Sequence, residues 1–284
     1  MVQIGQGTGG SEGSGGRKGP RAGRQGPEAD RAPVAAEDGL GRRARNRIAR
    51  HRAYLATALR IATEEGLDAL TMQRLADDLD SAVGTVYTYF PSKGAVVAEI
   101  QREAVERLVA SYLLLLPDVE RRVADEPPRL AALTHVVGFT RFWVASLDTF
   151  PQEQRLIQAL VADAGAVPET EAARVLPAAW RLLGLARDRF ERAAEVGALT
   201  RADALERTVV MAAGLNGVVQ LGRLGRWDPD LLDGRRLAGG FVDSLLQGWG
   251  AEPTALAAAH AHLDRIARRR HLARPLPQDQ EDMT

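Results

Sequence analysis

Residues 71–93 read TMQRLADDLDSAVGTVYTYFPSK, and the fold turns on how this stretch is parsed. Met72, Leu75, Ala76 and Leu79 recur at helical spacing, so a short helix is expected over 72–79, with Thr71 as its N-cap. Asp80-Ser81-Ala82 is too polar and too short to be more than a turn, and Asp80 tolerates a left-handed backbone better than most residues. A second helix over about 82–89 turns Val86 inward, with Phe90 following it into the core. Ser92 then caps a further helix, which Lys93 begins. Two short helices about a tight turn form a helix-turn-helix. Helices of these lengths bury little alone, so the unit needs the helix after it.

Outward from this stretch, the flanks are helical as well. On the N-terminal side, Leu55, Ala58, Leu59 and Ala62 mark a helix from Ile48 to Glu65, ended by Gly66. On the other side, Val96, Val97, Ile100, Ala104, Leu108 and Leu115 mark a helix over about 94–116, stopped at Pro117. Further helices are expected from Pro127-Pro128 to Thr149, from Pro151 to Ala164 and over 169–196 with a kink at Pro177. Thr200 caps a segment to Arg223, Pro229 introduces one to Trp249, and a last helix spans Thr254 to Arg270. No strand pattern survives, so the fold class is all-α. The organisation read from this is a Gly/Arg-rich disordered tail (1–41), a helix-turn-helix domain (42–93), a helical body (94–272) and a polar tail (273–284).

Composition narrows the function. The chain has 284 residues, 45% hydrophobic and 26% charged, with no cysteine, which removes disulfides, thiolate catalysis and cysteine-bound metal. Net charge is zero, yet residues 1–53 hold eleven Lys and Arg against five acids, so the remainder is acidic by six. That asymmetry puts a polyanion-facing end beside residues 71–93. The first forty residues carry eleven glycines and almost no bulky apolar side chain, too little burial to offset their ordering entropy. Gly5-Gln6-Gly7-Thr8-Gly9-Gly10 has dinucleotide-loop spacing by chance, since neither strand nor amphipathic helix flanks it. Neither an apolar run near the ~18 residues of a membrane span nor a signal-peptide core is present, so a cytoplasmic location without membrane contact is expected.

The order Glu64-Glu65-Gly66, Thr71, Leu75-Ala76, Gly84-Thr85-Val86-Tyr87, Tyr89-Phe90, Ser92-Lys93 resembles the N-terminal DNA-binding domain of the TetR family of bacterial repressors, over 47 to about 100. Leu75-Ala76 stands where the family has Ile-Ala. Asp80 and Ser81 replace a usual glycine and small aliphatic residue, and Ala82 replaces a serine or similar, which leaves the operator sequence open. The resemblance implies that Thr85, Tyr87 and Tyr89 contact DNA and that Thr71 and Lys93 hold phosphates. Side-chain chemistry agrees: Thr85 and Tyr87 offer hydroxyls, Gly84 lets backbone approach, and Val83 can meet a thymine methyl. Lys93 is one of two lysines among 37 basic residues and sits at a helix N-terminus, a ready anion site; an idle surface lysine is the alternative. Ala82 and Thr88 complete the candidate DNA surface. In the basic run, Arg45 and Arg47 are either a solvated tail or an arm for phosphates and the minor groove.

For the body, the resemblance implies a homodimer joined by two late helices. Leu215, Val218 and Leu221 with Phe241, Leu245 and Trp249 are the interface candidates, and nearby Gly214, Gly217, Gly239 and Gly240 favour close helix contact. Phe139, Phe142, Trp143, Phe150 and Trp180 concentrate the scarce aromatics, as core or as the lining for an apolar effector. His135 is assigned no metal, and no cofactor is implied. The function expected is a DNA-binding regulator, a repressor released from a palindromic operator on double-stranded DNA by a small molecule. The alternatives are a family member that organises DNA or activates without an effector, and a helical enzyme or interaction protein. With five dispersed histidines, no HExxH, and GxSxG spacing only at Gly9–Gly13 inside the low-complexity tail, no catalytic constellation supports an enzyme.

Overall fold

The computed structural model describes residues 34–162 and 169–276. Most of the low-complexity tail, the Gly5–Gly10 loop pattern and the last eight residues lie outside them. Among the described residues there are ten α-helices, one 3-10 turn and no strand. The chain divides into two compact units, Met1–Arg47 and Ile48–Thr284.

Helix α1, Val34–Glu64, begins fourteen residues before the expected Ile48, so residues 34–41 are helical rather than part of a structureless tail. It ends at Gly66, whose φ of +96° is open to glycine at no steric cost. Helices α2, Met72–Asp77, and α3, Val83–Tyr87, are each shorter than the periodicity predicts. The turn between them has Asp80 at φ +46°, the left-handed geometry its short polar side chain suits. Tyr54, Leu55, Ala58 and Ile61 of α1 close over Leu75, Ala76, Val86 and Phe90.

Helix α4, Lys93–Val123, runs through Pro117 instead of stopping there. An internal proline costs about 3 kcal/mol; burial of Leu115, Val119 and Val123 along the continuing stripe offsets it. The rest of the body comprises α5, Pro128–Thr149, α6, Pro151–Ala162, α7, Glu169–Glu195, α8, Ala204–Gly222, the 3-10 turn Arg223–Arg226, α9, Gly234–Gly248, and α10, Pro253–Ala267. Helix α7 is continuous through Pro177. Thr200 is not the cap of α8. Asp203 accepts the Glu206 amide at 2.8 Å, while the Thr200 hydroxyl is bonded to the Trp249 carbonyl at 2.9 Å. Likewise α9 starts at its cap Asp233, whose carboxylate accepts the Arg235 amide at 2.9 Å, and not at Pro229.

Helix α5 corrects the reading that nothing here approaches a membrane span. By length and composition it is apolar enough, with a mean hydropathy of 1.3 over eighteen residues, and more than half of that window is buried. It packs against α4, α7 and α10, which accounts for its apolar character.

Helices α8 and α9 cross closely. A Cβ on Gly214 would lie 1.9 Å from the Phe241 ring, and one on Gly222 would lie 3.0 Å from the Gly234 backbone. Gly214 and Phe241 thus meet within one chain. Gly214→Ala should lower stability by about 1–3 kcal/mol through overpacking, read by chemical denaturation. In a Phe241→Ala background the same change should be neutral or stabilising by up to about 1 kcal/mol, the helix propensity gained.

Candidate nucleic-acid interface

Three local devices set the reading head. The Thr71 hydroxyl accepts the Arg74 amide at 3.0 Å, fixing where α2 begins. The Tyr54 hydroxyl donates to the Ser81 hydroxyl at 3.0 Å, and Ser81 also holds the Ala76 carbonyl through its amide at 2.9 Å. Ser81, polar where an aliphatic residue was expected, therefore pins the turn to α1 with a hydrogen bond in place of packing. At α4, the Ser92 hydroxyl accepts the Ala95 amide at 3.0 Å, leaving Lys93 at the first position of the helix.

Helix α3 presents Tyr87, 53% exposed, with Gly84 and Thr88 also exposed and Thr85 half-buried. A Cβ at Gly84 would meet nothing within 4 Å, so its surface is open to a partner. The Thr88 hydroxyl is engaged with the Thr85 carbonyl at 2.6 Å, which leaves it an acceptor for outside donors. Val83 packs partly on the core. Ala82, the α3 N-cap, is exposed and makes no side-chain cap. Tyr89 is half-buried, its ring 5.3 Å from Tyr54 and 6.3 Å from His51, so packing fixes it. Arg45 and Arg47 are exposed on α1.

Basic residues of the head are not all free. Arg74 bonds Asp78 at 2.8 Å and Glu65 at 2.9 Å, and Arg60 also reaches Asp78. The bonds from Arg74 and Arg60 hold the Asp78 carboxyl below its ordinary range. This exposed network ties the end of α1 to α2 and commits both guanidiniums internally. Lys93 has no carboxylate partner among the described residues.

Two bonds, which no spacing signalled, join the head to the body. Ser92 donates to Glu171 of α7 at 3.2 Å, and Arg155 of α6 donates to the Thr63 carbonyl near the end of α1 at 3.0 Å. Arg174 sits 2.6 Å from Glu171 and offsets its charge beside Lys93.

The aromatic set does not form one site. Phe142, Trp143 and Phe150 are buried core residues, Phe139 is half-buried, and Trp180 is 55% exposed on α7. Tyr112, not singled out from the sequence, stands 5.0 Å from both Phe139 and Phe142, with the Arg189 guanidinium 4.8 Å over its ring. Burial pushes its phenol up to about 12. Partial burial holds His135 below its ordinary range, with Arg189 adding to the effect. Among the described residues no three His, Asp or Glu side chains gather to hold a metal. A cleft of about 410 Å³ opens along α5 and α6, lined by Asp148, Gln154, Arg155, Gln158, Val219 and Arg235 among others, and by none of the five predicted aromatics. Gln154 is 2% exposed; its amide nitrogen donates to Ser146 at 2.6 Å while its amide oxygen has no partner.

The interface candidates also divide. Leu215 is buried in the core of its own chain, and Trp249 stands edge-on to Phe190 at 5.5 Å beneath Arg207 at 5.2 Å. Val218, Phe241 and Leu245 are half-buried, and Leu221 is exposed. Val209 and Val210, which sequence reading passed over, are exposed on the same helix, as are Gly239 and Gly240 of α9.

Because Ser92 both caps α4 and bonds Glu171, Ser92→Ala should lower stability by about 1–2 kcal/mol. Glu171→Gln, which keeps an acceptor oxygen, should cost less; denaturant midpoints measure both.

Residues 55–100 match the profile of bacterial regulatory proteins, tetR family. The chain is similar to the HTH-type transcriptional repressor KstR of Mycobacterium tuberculosis (strain ATCC 25618 / H37Rv), 43% identical over 60 residues, 21% of this chain and 26% of that protein. Its likeness to KstR of Rhodococcus jostii (strain RHA1) is 28% over 120 residues, 38% of this chain and 56% of that protein. The chain thus spans between about a quarter and just over half the length of these curated relatives. In fold it is similar to a bacterial regulatory protein in the tetR family from Rhodococcus RHA1, at TM-score 0.51 and 17% identity, covering 71% of this chain and 97% of that one. The match to the tetR family of bacterial regulatory proteins thus lies over residues 55–100, the helix-turn-helix just described and its flanks.

Proposed function

We propose that this chain is a DNA-binding transcriptional repressor and not an enzyme, acting as a homodimer on a palindromic operator and released by a small molecule. The observation that carries the reading is the pairing of an exposed Tyr87–Thr88 edge on α3 with an unpaired Lys93 at the capped start of α4. The first offers groups for base edges, and the second is a cation on a helix N-terminus, suited to phosphate. Residues 42–93 form the reading head and 94–272 the effector and dimer body. Arg45 and Arg47, exposed on α1, are cations suited to phosphates.

Dimerisation rests on α8 and α9. Val209, Val210 and Leu221 expose apolar surface, and Gly239 and Gly240 let a second helix approach closely. Val218, Phe241 and Leu245 border that surface, while Leu215 and Trp249 support it from within.

The effector enters the cleft of about 410 Å³ between α5–α6 and α8–α9. The unpaired Gln154 oxygen calls for a hydrogen-bond donor on the effector, a more polar molecule than the aromatic cluster led the sequence to suggest. Arg155, on the cleft wall, holds the end of α1 through Thr63, so an effector that draws it away loosens the head.

Two experiments test this. In electrophoretic mobility shifts on the protein's own upstream region, Lys93→Ala should weaken binding on every duplex, while Tyr87→Ala should also change the preference between operators. No shift at low salt with folded protein, or equal losses everywhere for both variants, overturns the reading. Separately, a compound that raises the melting temperature in a mixed panel should reduce operator affinity in the parent protein but not in Gln154→Leu. An unchanged response in that variant places the effector elsewhere.

A further inference from the structure

The C-terminal ends of α4 and α10 enclose a cleft of about 610 Å³ lined by Arg121, Arg122, Arg265, Arg268, Arg269 and Arg270, with Asp118 and Ile266. We propose that this cleft is a binding site for a small polyphosphorylated molecule, distinct from both the operator surface and the effector cleft.

The charge balance is the first argument. Asp118 is the one acid on the wall, and it is already shared by Arg121, Arg270 at 3.7 Å and Arg274. Arg122, Arg265, Arg268 and Arg269 have no carboxylate partner among the described residues, and the Arg122 Nε is buried with no hydrogen bond at all. Of the neighbouring acids, Asp264 pairs with Arg141 at 2.7 Å, whereas Glu126 meets His262 at 3.3 Å and keeps its charge, because burial holds His262 below its ordinary range. A bland account assigns these arginines to the dipoles of the two helix ends. Each end supplies about half a negative charge, so two ends and Asp118 offset roughly two of six guanidiniums. With Glu126 also counted, about three positive charges remain, held together against their own repulsion.

Ligand class follows from geometry and chemistry. Guanidinium forks pair with phosphate oxygens two at a time, and a single phosphate engages two or three of them. Four forks without a carboxylate partner, flanked by Arg121 and Arg270, fit two or more linked phosphates on a concave wall. The volume is that of a small-molecule site, which a flat membrane surface would not need. Operator DNA is excluded by distance: Asp118 lies 25 residues along α4 from Lys93, roughly 37 Å at the helical rise.

Isothermal titration of inorganic tripolyphosphate into the full chain at low salt tests the site. Binding of one molecule per chain is expected, unchanged in Lys93→Ala and weakened at least about tenfold in an Arg268→Ser, Arg269→Ser double variant. Both arginines are exposed, so the variant should keep the parent's circular dichroism and melting temperature. No binding by the parent overturns the proposal, as does full affinity in the double variant. Binding that appears only after deletion of residues 277–284 also overturns it, because the cleft would then hold the chain's own Asp279, Glu281 and Asp282.

Discussion

The Ser92 hydroxyl accepts the Ala95 amide at 3.0 Å and donates to the Glu171 carboxylate at 3.2 Å, and the working geometry of the head depends on that pair of bonds. The first bond fixes where α4 starts, and hence that Lys93 occupies the turn where free amides and the helix dipole favour an anion. The second fastens that turn to α7. Arg174 offsets the charge of Glu171 at 2.6 Å, beside Lys93. Capping, anion binding and attachment to the body thus converge within two residues.

From that node the rest of the head follows. The two helices of its helix-turn-helix are six and five residues long, too short to be stable by propensity. Burial of Leu75, Ala76, Val86 and Phe90 against Tyr54 and Ile61 holds them, with the Thr71 cap and the Tyr54–Ser81 bond setting their ends. Arg60 and Arg74 clamp α1 to α2 through Asp78 and Glu65, so neither guanidinium is free, whereas Lys93 has no carboxylate partner among the described residues. The body repeats the theme at larger scale: α5 is apolar because it is enclosed, and α8 meets α9 closely because Gly214 leaves room for Phe241.

Much of this was legible in residues 71–93. Thr71 and Ser92 as caps, the left-handed Asp80 and the inward Val86 and Phe90 follow from local chemistry, and the structure has each of them. Misplaced boundaries have tertiary causes: Pro117 does not stop α4 because its stripe stays buried, and α8 and α9 start at Asp203 and Asp233 because those carboxylates cap them. Contacts between distant residues left no pattern to read. Ser92–Glu171, Arg155–Thr63 and the placement of Tyr112 between two phenylalanines depend on how helices pack, and nothing in spacing encodes that. Aromatic scarcity drew attention to Trp180, which is exposed, while Val209 and Val210, also exposed, carried no signal that set them apart.

The central claim is that two such heads, joined through α8 and α9, read two half-sites on one duplex. Hydroxyl-radical footprinting of the bound operator tests it most directly. The account predicts two protected patches on one face of the duplex, about 34 Å apart or a multiple of that, both lost together in Val209→Glu while the variant remains folded. A single patch, or a pair unaffected by Val209→Glu, would contradict it.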